Sequence, residues 1–161
     1  MPDISDILRQ ATPREAVVAV CLAGDLVGEV DRLQQELAAV GDDWRQQSIG
    51  DVHPAIALVK GIEDLREQMR DATVEFRLRA LGHRAFSNLI AEHPAPKDAE
   101  AAEGFDPGTF LPALLAACCT DPVMTAEQAT QLLDVLNDGQ ARELFAAVLA
   151  VNREPSPLPF S

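Results

Sequence analysis

The sequence is poor in aromatic residues, which make up only 4% of its 161 positions. Such a chain cannot build its interior from large rings. Apolar residues still reach 47%, so a core is possible. Much of that content is alanine, which favours helix but adds little buried area per residue. The expectation is a mostly helical protein with a modest core and some apolar surface left uncovered. Uncovered apolar surface leans towards binding another protein.

Basic residues are scarce as well. Thirteen Lys and Arg face 26 Asp and Glu, a formal net charge of -13. A field of that sign repels phosphate backbones and anionic lipid heads. The densest basic group, Arg77, Arg79, His83 and Arg84, is interrupted by apolar positions and makes no patch. Neither nucleic acid nor a membrane is therefore expected as a partner. No apolar run approaches the roughly 20 residues of a membrane span. The opening stretch from Met1 to Thr12 is polar, unlike a secretory leader.

Cysteine is too sparse for a disulfide framework. The count is three, with Cys118 and Cys119 adjacent. Reduced, mostly buried thiols of a cytosolic protein are expected. Motifs of chemistry are missing too: there is no GxSxG, no HExxH and no glycine loop to cradle phosphate. None of His53, His83 and His93 has a second ligand at helical i, i+4 spacing. His83 and the cysteine pair could meet in space, but nothing in their spacing says so. The cysteines close an apolar helix, and a helix C-terminus disfavours thiolate. No catalytic residue, cofactor or metal is expected.

What is present is periodicity. Residues 1–14 read as a flexible arm. Val17 to Leu22 is a β-branched-rich run closed by Gly24, and reads as a strand. Leu26, Val30, Leu33, Leu37, Val40 and Trp44 then recur in steps of four and three, the seam of a coiled-coil-like helix. Gly41, Asp42 and Asp43 weaken its end, and Gly50 with Pro54 marks a turn. A second seam, Leu58, Ile62, Leu65 and Met69, completes a helical hairpin. From Val74 to Ala80 the residues alternate, with Val74, Phe76, Leu78 and Ala80 on one face and charges on the other. This predicts a half-buried strand.

A short amphipathic helix carries Phe86, Leu89 and Ile90 and stops before Pro94. Residues 94–104 lack any bulky apolar side chain and read as a linker. Asp106-Pro107 is a helix start. Thr125 and Gln128 match a capping box. Asn137-Asp138-Gly139 reads as a turn before a last helix through Leu144, Phe145, Val148 and Leu149. Alternating prolines make residues 153–161 an extended tail.

The expected fold is α+β and mostly helical. A two-stranded antiparallel β element with an inserted helical hairpin spans residues 15–93, and a small helical bundle spans 105–152. The candidate protein-binding residues are apolar side chains at the margins of this plan. Phe105, Phe110, Leu114 and Phe145 belong to the small bundle, and Leu158 and Phe160 to the tail.

Several segments carry a resemblance. Val74-Glu-Phe-Arg-Leu-Arg-Ala-Leu-Gly82 and Phe86-Ser-Asn-Leu-Ile-Ala-Glu-His-Pro94 are two of them. Gly104-Phe-Asp-Pro-Gly-Thr-Phe-Leu-Pro-Ala-Leu-Leu-Ala-Ala-Cys118, running into Asp121-Pro-Val-Met-Thr125, is a third. Leu136-Asn-Asp-Gly-Gln140, the ending from Val151 to Ser161 and the upstream Cys21-Leu-Ala-Gly-Asp-Leu26 complete the series. In their order and spacing they resemble the tail assembly chaperones of siphophages that infect actinobacteria. The resemblance implies a non-enzymatic protein of the host cytoplasm that binds the tape measure protein, keeps it soluble and helps tail-tube subunits assemble around it. It also implies that this chain is the short form of a pair whose longer member arises by ribosomal frameshift. It carries over no catalytic residues. A structural virion part, such as a tail-terminator or head–tail adapter subunit, is the alternative. An enzyme would need His83 brought together with Cys118 or Cys119. Self-association through sheet edges or helical seams is also open.

Overall fold

In the computed structural model, residues 1–98 and 103–160 are described. The chain divides into two compact units, residues 19–74 and residues 1–18 with 75–161. The expected plan was different, with one domain over 15–93 and a second after a linker at 94–104. The middle of that linker, residues 99–102, lies outside the described residues, as does Ser161. Its ends meet: Pro94 and Phe105 form a β-bridge, and the Asp106 amide donates to the His93 carbonyl at 2.9 Å. The helices after it therefore belong to the same unit as the strand and helix before it.

The fold is α+β and 57% helical. One antiparallel sheet contains β1 (Glu15–Cys21), β2 (Thr73–Arg79) and β3 (Cys119–Asp121), in the order β1-β2-β3. Val18 and Val20 of β1 and Phe76 and Leu78 of β2 are buried, while Glu75, Arg77 and Arg79 face water. This is the alternation expected for 74–80. The third strand corrects the two-stranded plan. Leu78 pairs with Cys119 and Arg77 with Asp121. Three residues are too few to display a period of two, and they continue an apolar helix without a break in composition.

In the unit of residues 19–74, α2 (Gly24–Ala39) and α3 (Pro54–Asp71) form the helical hairpin. The shielded positions of α2 are Leu26, Glu29, Val30, Leu33 and Leu37, so the seam read from spacing is the packed face. It stops earlier than expected, because the helix ends at Ala39 before Gly41 and its aspartates. Trp44 lies in the following loop with its ring 4.7 Å from that of His53. The turn expected at Pro54 is instead a helix start. Pro54 is the first residue of α3, and the His53 Nδ1 accepts the Ala55 amide at 3.1 Å. Gly61 stands in the middle of α3, where a methyl group would lie 3.2 Å from Leu33 Cδ1. Glycine there lets the two helices approach.

In the other unit, α1 (Ile4–Gln10) replaces the expected flexible arm over part of its length. Asp3 caps it by accepting the Asp6 amide at 2.9 Å. Next come α4 (His83–Glu92), α5 (Pro107–Cys118), α6 (Ala126–Val135) and α7 (Asp138–Arg153). The Thr125–Gln128 capping box is present in both directions. Asn137 forms a second box with Gln140, so the expected Asn-Asp-Gly turn is the cap of α7. α5 is apolar almost all round, and buries Phe110, Pro112, Leu114, Leu115 and Cys118. Leu144, Val148 and Val151 of α7 and Ala129 of α6 join them in the core.

Asn152 near the end of α7 ties three elements together. Its amide nitrogen donates to the Val148 carbonyl at 2.7 Å and to Cys118 Sγ at 3.3 Å, and its oxygen accepts the Leu81 amide at 2.8 Å. Arg14 fixes the start of the tail, donating to the Glu154 carbonyl at 3.0 Å.

Two stability measurements follow. Asn152→Ala strands the half-buried Leu81 amide and is expected to lower unfolding free energy by about 1–3 kcal/mol. An unchanged urea midpoint would contradict this. Gly61→Val is expected to cost about 1–3 kcal/mol through overpacking against Leu33. Gly61→Ala should be near neutral, because it gains about 1 kcal/mol of helix propensity. Equal effects of the two substitutions would contradict a close helix approach.

Candidate functional site

The structure sorts the six candidate residues into three groups. Phe105, Phe110 and Leu114 have exposures of 1%, 0% and 0%. They are core, and the expectation that they present a docking surface is corrected. The reason is local. Phe105 and Phe110 stack with centroids 4.2 Å apart, and Phe86 meets Phe110 edge-on at 6.1 Å. The Arg153 guanidinium covers the group, 5.7 Å from the Phe105 ring and 5.9 Å from the Phe86 ring. In a chain with few aromatics, these rings are drawn together around the core. Leu158 and Phe160 remain exposed, at 72% and 96%. Phe145 is half-buried.

Phe145 marks a site that spacing did not reveal. With Leu111 and Pro112 of α5 and Leu133 of α6 it lines a groove of about 330 Å³. Pro107 and Gly108 form one end, and Thr130 and Asp134 stand on the α6 side. The groove is apolar because α5 is apolar almost all round while α6 and α7 cover only part of it. Pro112 adds a polar feature. Lacking an N–H, it cannot serve the Gly108 carbonyl four residues back, so this helix carries an acceptor without its usual amide partner. Gly108 itself lines the groove.

The charged residue on the groove's lining is a carboxylate, Asp134. From Asp98 to Asp138 the sequence has eight carboxylates and no Lys, Arg or His. Asp138 pairs with Arg142 at 2.6 Å and Glu103 with Arg153 at 3.5 Å. Among the described residues, Glu127 and Asp134 have no such cation within ion-pair distance. This charge bias was visible in the sequence. The groove beside it was not, because it depends on how three helices meet.

A larger concavity of about 830 Å³ lies in the α2–α3 loop around Trp44 and Asp51. Its walls are loop residues, largely polar, and the Asp51 carboxylate is occupied by the amides of Gln47 and Ser48 at 2.9 and 2.7 Å. It offers no apolar anchor pocket comparable with the helical groove.

His83 is exposed at the start of α4, whereas Cys118 and Cys119 are buried. Among the described residues, no three His, Cys, Asp or Glu gather into a metal-holding group. Among them too, no helix is long and apolar enough to cross a membrane. Burial pushes both buried thiols above their ordinary range. For Cys118, bonds from Asn152 and from the backbone at Leu81 partly oppose that rise; for Cys119, a backbone bond at Asp121 does so.

Burial favours the neutral form of both thiols in the folded chain, while unfolded thiols ionise near pH 9. The stability they contribute is complete below that pH and lost as pH rises past it. In the native protein at pH 8, a disulfide reagent should therefore titrate the half-buried Cys21 first, and Cys118 and Cys119 only on unfolding. Reaction of all three at one rate in the native state would contradict this burial.

No family model, no curated protein and no solved structure matches the chain.

Proposed function

We propose that this protein is a tail assembly chaperone of a phage, a non-enzymatic binder that keeps a tape measure protein soluble while tail-tube subunits assemble around it in the host cytoplasm. The observation that carries a binding role is the apolar groove between α5, α6 and α7, left open on a strongly acidic chain. An aggregation-prone client needs an apolar surface to rest on and a carrier that stays dispersed. The groove supplies the first, and the net charge of -13 the second. The identity of the client rests on the ordered segments from Cys21 to Ser161 that resemble tail assembly chaperones.

A second reading, a structural virion subunit, is favoured by one feature. β1 is an edge strand seven residues long, with Val17 exposed on its outer face. Such an edge can pair with a neighbouring copy.

Two measurements separate the readings. Co-expression with the tape measure protein should raise the soluble fraction of that client severalfold. No gain in solubility would end the chaperone reading. Purified virions should contain no stoichiometric band of this protein, and its presence at fixed copy number would favour the structural subunit.

A further inference from the structure

We propose that the α5–α6–α7 groove takes a single large apolar side chain from a partner segment whose flanking residues are Lys or Arg. The proposal rests on the reading of the protein as a binder of protein clients, and names the chemistry that its site selects.

Size comes first. About 330 Å³ of open groove suits one or two large side chains, not a whole helix face. Its walls, Leu111, Pro112, Leu133 and Phe145, offer only apolar contact, so the inserted group must be apolar. The surroundings then choose the flanks. Asp134 stands on the groove edge, and Glu127 lies one turn before Thr130 on the same stripe of α6. Both are carboxylates without a cation partner among the described residues. The groups left without a partner at this edge are thus both anions. A segment with ammonium or guanidinium donors on either side of its anchor would satisfy them, and an acidic segment would be repelled.

The same charges argue against the chain's own tail as the occupant. Leu158 and Phe160 are exposed apolar side chains. Their segment, from Glu154 onward, holds one carboxylate and no basic residue, so it brings no cation to the groove.

The test uses the full chain and two labelled amphipathic peptides of the same length. One carries Leu on one face and Lys on the other, and the second has Glu in place of Lys. Fluorescence polarisation reads binding. The proposal expects the Lys peptide to bind and the Glu peptide not to. It expects Thr130→Trp, which fills the groove from an exposed position, to weaken the Lys peptide by about tenfold or more. The double variant Glu127→Lys, Asp134→Lys should weaken it by a similar factor and flatten its dependence on salt. Both variants lie on the exposed face of α6, and an unchanged thermal midpoint confirms that they fold. The proposal is overturned if the two peptides bind alike or neither binds. It is also overturned if Thr130→Trp leaves binding unchanged, which would mean diffuse attraction to an acidic surface. A dimer that Thr130→Trp converts to monomer would assign the groove to a second copy, and would overturn the proposal too. The broader reading fails separately. If wild type and Thr130→Trp solubilise the tape measure protein equally, the groove assignment falls and the chaperone stands. If the Lys peptide binds as expected but wild type does not solubilise that client, the groove stands and the chaperone falls.

Discussion

The enclosure of α5 is the constraint on which the rest of this unit depends. A helix apolar on most of its circumference must be largely covered, and the segments around it can be understood as that cover. Phe105 and Phe86 close on Phe110 from one side. Leu144, Val148 and Val151 of α7 and Ala129 of α6 join the same core. The pairing of Cys119 with Leu78 fastens the helix's end to the sheet. Asn152 then locks α7 to α5 and to the end of β2. The cover is incomplete at the half-buried Leu111 and at the exposed Pro107 and Gly108, and the groove lies there.

This account changes where binding is placed. Exposed or marginal aromatics are natural candidates in a sequence with few of them, but burial of a ring is worth more than its display. Phe105 and Phe110 therefore went to the core. The groove is built from what the core left over: an aliphatic wall, one half-buried ring at Phe145, and a carboxylate, Asp134, with no ion-pair partner among the described residues.

Much of the fold could be read from residue spacing, because local rules governed those parts. The α2 and α3 seams follow from apolar steps of three and four. The half-buried β2 follows from alternation, and the starts of α5 and α6 follow from Asp106 and Thr125. Asn137 and Gln140 obey the capping rule that Thr125 and Gln128 do, so Asn137-Asp138-Gly139 is a helix start rather than a turn. Gly50 does lie in a turn, while Pro54 opens α3. What could not be read depended on tertiary contact. β3 is too short to show a period, the Pro94–Phe105 bridge joins the ends of a polar stretch, and the groove exists only where three helices meet. Of the candidate site, Phe145 and the acidic run were visible, while Leu111, Pro112 and Leu133 were indistinguishable from core.

The central claim is that the face formed by α5, α6 and α7 is where this protein holds its partner. Hydrogen exchange, compared between the free chain and the chain co-purified with a tape measure protein, tests it most directly. The account predicts new protection concentrated in the first half of α5, in α6 and around Phe145, with α2 and α3 unchanged. Protection confined to the α2–α3 hairpin, or none in α5 and α6, would contradict it.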